Sequence, residues 1–273
     1  MLEMFTDPGI WMALLTLVFL EIVLGIDNIL FISIASNKLP QSEQKKATNI
    51  GLFLAMLLRV ILLFGISYLT AMDKVIYEMD LSWLKVGVTG QSLIMLGGGL
   101  FLMYKSVQEI HHKVEGHEED QAKNSTAKAA LSNVIFQITM INIVFSFDSI
   151  LTAVGMTTGI DKTATPIDEA LVVMVIAVIV SMIIMMVFAN PVNKFVSKHP
   201  TVQMLGLAFL ILIGFILISE GAHMAHLKIF NTEVGVIPKG YLYFTIAFSL
   251  GVEALNFRLR KNAQQVSNEQ EQD

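Results

Sequence analysis

The chain has 273 residues, 54% apolar and 15% charged, with no cysteine and a formal net charge of -5. A soluble domain carries about 25% charged residues; with a mean hydropathy of +0.65, this chain has lipid as its natural solvent. The absence of cysteine excludes a disulfide framework, a thiolate metal site and a Cys nucleophile. The acidic balance excludes nucleic acid as a partner.

A helical span needs about 20 mostly apolar residues. Seven stretches qualify: Ile10–Ala35, Ile50–Thr70, Val86–Tyr104, Leu131–Gly155, Ala170–Ala189, Val202–Gly221 and Tyr241–Phe257. The alternation of a transmembrane β-barrel is absent. The opening MLEMFTDP lacks a positive n-region, so the first span is expected to be retained and not cleaved. The predicted fold is all-α, a polytopic bundle of seven transmembrane helices, with residues 1–258 as one membrane domain. Residues 259–273 are expected to form a polar cytoplasmic tail, disordered over Asn262–Asp273.

Lys and Arg in the loops orient the bundle. Twelve fall on one side: Lys38, Lys45, Lys46, Lys105, Lys113, Lys123, Lys128, Lys194, Lys198, Arg258, Arg260 and Lys261. Five fall on the other: Lys74, Lys85, Lys162, Lys228 and Lys239. The N-terminus is therefore expected outside and the C-terminus in the cytoplasm of a plasma (inner) membrane. The segment His111–Lys128 is rich in His and acids and could sample metal ions. A solvated linker between two halves is the simpler reading.

The first and fourth spans resemble each other. EIVLGIDNIL (21–30) and NIVFSFDSIL (142–151) agree at Ile22/Ile143, Val23/Val144, Asp27/Asp148, Ile29/Ile150 and Leu30/Leu151. GLFLMYKS (99–106) more weakly matches GFILISEG (214–221). Residues 10–105 and 131–221 thus read as two copies of a three-span unit, with span 241–257 added. Three spans is an odd number, so the copies run in opposite directions, the inverted 3+3 arrangement of many secondary transporters.

Charges inside the spans are one-sided. The acids are Glu21, Asp27, Asp148, Glu220 and Glu253; the one clearly buried base is Arg59, and Lys105 lies where it can snorkel to water. Each mid-helix charge costs about 2.5–3.5 kcal/mol, so five unpaired acids would cost roughly 12–18 kcal/mol. They must pair, protonate or meet a cation, which points to a cation pathway. Glu21, Gly25 and Asn28 share one helix face, and Asn142, Ser146 and Ser149 repeat it. Asp27 and Asp148 sit about 120° away in an undistorted helix. They join that face only if the helix loosens at Gly25 and Ser146. The donor set is carboxylate, amide and hydroxyl oxygen, suited to Mg²⁺, Ca²⁺ or Mn²⁺, with monovalent ions and organic cations as alternatives. Arg59 cannot lose its proton and is expected to pair with Asp27 or Asp148 until a metal displaces it, the alternative being a fixed structural ion pair. No HExxH, GxSxG or P-loop pattern appears, so no enzyme is expected.

EIVLGIDNIL, Arg59, GGLFLMYKS (98–106), FSFDSILTAVG (145–155), ISEG (218–221) and PKGYLYFTIAFSLGVEALN (238–256) resemble the TerC family of integral membrane proteins. The resemblance covers roughly residues 10–258. It implies kinship to LysE-type transporters and a role in metal homeostasis, chiefly manganese export. By motif it implies metal contacts at Glu21, Asp27, Asn28, Asp148 and Ser149, to which the repeat adds Asn142. Arg59, Lys105, Glu220 and Glu253 match as counter-charge or gating positions. The expected substrate is a divalent cation, most simply Mn²⁺, with no tightly bound cofactor. Alternatives are export of a small organic cation or amino acid, or a scaffold that assists metal loading or insertion of exported proteins. Expected partners are the bilayer and the metal ion, with a second copy of the chain or the protein-export machinery as further candidates.

Overall fold

The chain is described by a computed structural model over residues 6–65, 72–115, 127–157 and 167–270. The side chains of Leu24, Ile26, Asp27 and of residues 127–129, 151–157, 167–170 and 260–270 lie outside that description. The helices are α1 (Pro8–Leu24), α2 (Ile26–Ser36), α3 (Gln41–Phe64), α4 (Gly90–Glu115), α5 (Ala127–Thr157), α6 (Ile167–Lys198), α7 (Pro200–Met224) and α8 (Lys239–Gln270). The strands are β1 (Val75–Asp80), β2 (Leu84–Thr89), β3 (Lys228–Ile229) and β4 (Thr232–Glu233).

The outward faces of α1 and α3 are apolar, as lipid requires. α1 starts where Asp7 accepts a hydrogen bond from the Gly9 amide at 2.8 Å, with Pro8 in the first turn. Ile10, Leu14, Leu17 and Glu21 point inward, while Trp11, Met12, Leu15 and Phe19 are exposed. α3 turns Ala47, Gly51, Ala55 and Arg59 inward and Phe53, Leu57, Ile61 and Phe64 outward. Among the described residues, five helical stretches are long and apolar enough to cross a membrane: Pro8–Ser36, Gln41–Phe64, Ala130–Ile150, Leu171–Lys198 and Pro200–Met224. α4 and α8 are long enough but more polar.

Three expectations change. Val86–Thr89, assigned above to a span, is strand, and the helix begins at Gly90. The β-branched, alternating LKVGVT favours a strand, and Thr89 and Ser92 exchange side chain to backbone bonds of 3.0 Å that start α4. His111–Glu115, read as part of a linker, belongs to α4, with a 3.1 Å contact from His111 to Glu115 one turn on. The polar tail continues α8 as helix to Gln270 instead of being disordered.

Strand order is β1-β2-β3-β4, all pairs antiparallel. This small sheet joins the α3–α4 and α7–α8 connections at one end of the bundle. Phe230 and Asn231, the two residues between β3 and β4, both have positive φ, as a tight hairpin turn requires.

α1 stops at Leu24 and α2 starts at Ile26, so the helical path is interrupted at Gly25 (φ -99°, ψ -3°). A Cβ there would lie 2.3 Å from the Met185 sulfur of α6. α5, by contrast, runs unbroken through Ser146. α2 is tied to α6 by Asn193, which accepts from Ser33 at 3.1 Å and donates to Ser36 at 2.9 Å.

Candidate functional site: an intramembrane charge cluster

Two ion pairs meet at Asp148 and Ser149 on α5. In the first, Arg59 of α3 pairs with Glu21 of α1 and donates to the Ser149 hydroxyl. All three are buried, Glu21 and Arg59 at 4% exposure each. Ser149 in turn donates to the Ser146 carbonyl at 3.1 Å, which fixes its lone pairs toward the guanidinium. Asp148 is close enough for its charge to act on Arg59.

In the second, Lys239, at the N-terminus of α8, places its ammonium 2.7 and 2.9 Å from the two carboxylate oxygens of Asp148. Glu220 of α7 lies close enough to Asp148 and Lys239 for both charges to act on it. Its Oε2 is buried without a hydrogen-bond partner among the described residues. Thus five helices, α1, α3, α5, α7 and α8, each deliver a charge to one continuous region of the interior. Glu21, Asp148 and Glu220 face Arg59 and Lys239.

The expected residues are placed as follows. Asn28 is buried at the start of α2. Asn142 is buried and donates to the Ile138 carbonyl of its own helix at 2.9 Å, while the Ser146 hydroxyl donates to the Asn142 carbonyl. The Asp27 side chain lies outside the described residues. Lys105 is elsewhere, donating to Gln108 at 3.1 Å. Glu253 is also apart: it accepts from Thr201 and from Asn256, which binds α8 to α7. Among the described residues, no three of His, Asp, Glu and Cys come together as a metal cage.

Two expectations about charge are corrected. Arg59, expected to pair with Asp27 or Asp148, pairs among the described residues with Glu21, which α1 presents to the inner stripe of α3, while Asp148 acts on it through its charge. Nor is Arg59 the only base in the interior. Lys239, counted above with the outer loops, reaches back to Asp148 and is 23% exposed along its side chain.

The sequence profile described as "Integral membrane protein TerC family" matches residues 6–268. The chain belongs to the TerC family. Among its relatives is the UPF0053 inner membrane protein YoaE of Escherichia coli strain K12, 40% identical over 96% of this chain and 45% of YoaE. The UPF0053 inner membrane protein YgdQ of the same strain is 40% identical over 94% of this chain and 97% of YgdQ. A UPF0053 protein of Haemophilus influenzae is 38% identical over 96% and 99%. The chain therefore spans less than half of YoaE and nearly all of the other two. No solved structure matches this TerC protein.

Lys239 of this TerC chain is the site residue that sequence reasoning missed. It precedes the apolar run of span 241–257 and looks like a loop lysine. The available signal was the acidic surplus itself, which calls for a second base near a span end.

Proposed function

We propose that this TerC protein is an inner-membrane transporter that exports a divalent cation, Mn²⁺ foremost, from the cytoplasm. The reading includes seven crossings, with α4 and α8 as the two more polar ones, an inverted 3+3 repeat, kinship to LysE-type transporters, and an N-terminus outside. The observation that carries it is the carboxylate pair of Asp148 and Glu220 held by Lys239 inside an apolar bundle. A structural ion pair needs one acid for one base. Here a second carboxyl, with an oxygen left over, shares the site. An arriving cation competes with Lys239 for Asp148 and finds Glu220 and Ser149 as further oxygen donors, a hard-ligand set. Arg59, held by Glu21, keeps the remaining charge balanced, so that the acids do not grip the ion beyond release. The helix interruption at Gly25 places Asn28 and Asp27 on a separate helical segment, as in transporters built around discontinuous helices.

One observation favours the second reading, export of an organic amine. Lys239 is itself a primary ammonium bound to Asp148 through both oxygens, and a substrate ammonium would fit the same acceptors.

The test is the full chain in liposomes with a manganese-sensitive dye inside. The expected result is Mn²⁺ entry that Asp148→Asn abolishes and that a small primary amine does not inhibit. Inhibition by the amine, with amine flux, selects the second reading. No flux of either kind, in vesicles of either orientation, overturns transport.

A further inference from the structure

At the end of the bundle opposite the sheet lies a cavity of about 730 Å³, in the size range of small-molecule sites, walled by the ends of α2, α4 and α6 and the starts of α3, α5 and α7. Among the described residues its charged lining is Lys38, Lys105, Lys113 and one acid, Glu109, with His112 beside them. Glu109 is engaged by Lys38 in an ion pair. Lys105 donates to a neutral amide, Gln108, at 3.1 Å, and Lys113 donates to Gln203. The described wall is thus net positive in a chain whose formal charge is -5.

A second observation is independent of charge. Asn37, on the same wall, has both its Nδ2 and its Oδ1 buried with no hydrogen-bond partner among the described residues, and Gln137 has its Nε2 in the same condition. Buried amides left unpaired cost free energy, and these two lie beside a space that a ligand can reach. A path for cations would be expected to be lined with acids, so this basic wall does not belong to the Asp148 cluster. Gln137 and Asp148 are eleven residues apart on α5, or about 16 Å of helix.

We propose that this cavity binds a phosphate-bearing anion through Lys105 and Lys113, with the amides of Asn37 and Gln137 as hydrogen-bonding partners. Lysine acts as a compact point charge toward phosphate. The anion can come from solution or from the headgroup of an acidic lipid, and the chemistry of recognition is shared. The site is separate from the transport reading and stands or falls without it.

The experiment uses the full chain purified in an uncharged detergent. Inorganic phosphate is titrated against chloride at equal ionic strength, and short-chain phosphatidylglycerol against phosphatidylcholine, by calorimetry and thermal unfolding. The expected result is saturable binding of phosphate or phosphatidylglycerol, with a raised unfolding temperature and no such effect of the control. Phosphate alone identifies a soluble ligand, and phosphatidylglycerol alone a headgroup. Lys105→Gln is expected to weaken binding by about tenfold or more. Glu109→Gln is expected to strengthen it, because it removes the opposing charge and releases Lys38. If Lys105→Gln does not fold, Glu109→Gln decides alone. Absence of saturable binding, or affinity in Glu109→Gln equal to or below the parent, overturns the proposal.

Discussion

Lys239 bridges both carboxylate oxygens of Asp148, at 2.7 and 2.9 Å, from the first turn of a helix that enters the bundle after all the others. The pair ties α8 to α5, and Glu220 brings α7 into the same contact. Without Lys239, Asp148 would carry its charge beside a second acid, with Arg59 as a remaining counter-charge. The pair therefore sets both how α8 docks and how strongly Asp148 attracts any other cation.

Lys239→Gln leaves Asp148 and Glu220 together without their base. Breaking a buried pair costs about 3–5 kcal/mol, and the partial solvation of Lys239 puts this one at about 3 kcal/mol. Combining it with Asp148→Asn removes the charge that needed the base, so the double variant should be more stable than Lys239→Gln alone. Chemical unfolding in detergent, arranged as a double-mutant cycle, measures the coupling. Additive losses would show that the contact is incidental.

What was legible in the sequence was what depends on local pattern. The inward stripes of α1 and α3 and the burial of Glu21, Asn142, Ser146 and Ser149 follow from 3.6-residue periodicity and from the cost of exposing polar groups to lipid. Pairings were not legible. Arg59 could reach several acids by sequence. Its choice of Glu21 depends on how α1 lies against the bundle, which no single segment encodes. Lys239 was hidden because loop counting treats a lysine at a span end as solvent-facing, although its side chain is long enough to turn inward. The sheet was hidden because a span search reads the Val-rich Leu84–Thr89 as the beginning of a helix.

The Glu21–Arg59 pair should respond unequally to loss of its two members. In Arg59→Gln, the orphaned Glu21 carboxyl can take up a proton and become neutral. In Glu21→Gln, the guanidinium keeps its charge at any physiological pH and retains Ser149 and the more distant Asp148. Glu21→Gln is therefore expected to be the more destabilising of the two, by about 1–2 kcal/mol. Thermal unfolding of the two purified variants decides it. The reverse order would mean that Asp148, and not Glu21, is the charge that matters to Arg59.

Orientation can be read from two exposed positions. Ser82 lies at the turn between β1 and β2, and Ser42 near the start of α3, so a cysteine at either meets water at opposite ends of the bundle. With twelve of the loop cations on the Ser42 side, an impermeant thiol reagent applied to intact cells is expected to label Ser82→Cys and spare Ser42→Cys. The parent chain has no cysteine, so there is no background. Labelling of Ser42→Cys alone would reverse the bundle and place the basic cavity outside.

Three glycines test the packing of α4, which follows β2, on α7, which precedes β3. A Cβ added to Gly99 would lie 2.6 Å from the Gly214 carbonyl oxygen, and one added to Gly214 would lie 2.8 Å from the Gly99 carbonyl oxygen. The facing carbonyl is backbone, which cannot rotate aside, and at Gly214 the Met103 Cγ at 2.7 Å is nearer still, so the helices must separate. Close approach through small residues is what holds helices together where lipid supplies no hydrophobic drive. Gly99→Ala and Gly214→Ala are each expected to cost about 1–3 kcal/mol. Gly97 lies two residues earlier on the same helix, and a Cβ there meets nothing within 4 Å. Gly97→Ala should be neutral or stabilising by about 0.5–1 kcal/mol, because alanine loses less backbone freedom in a helix. The three variants carry the same chemical change, so helix propensity cancels and contact remains. Unfolding temperatures in one detergent are the measurement. A uniform shift across all three would show that α4 and α7 do not touch at these glycines, and the docking of α4 would have to be drawn again.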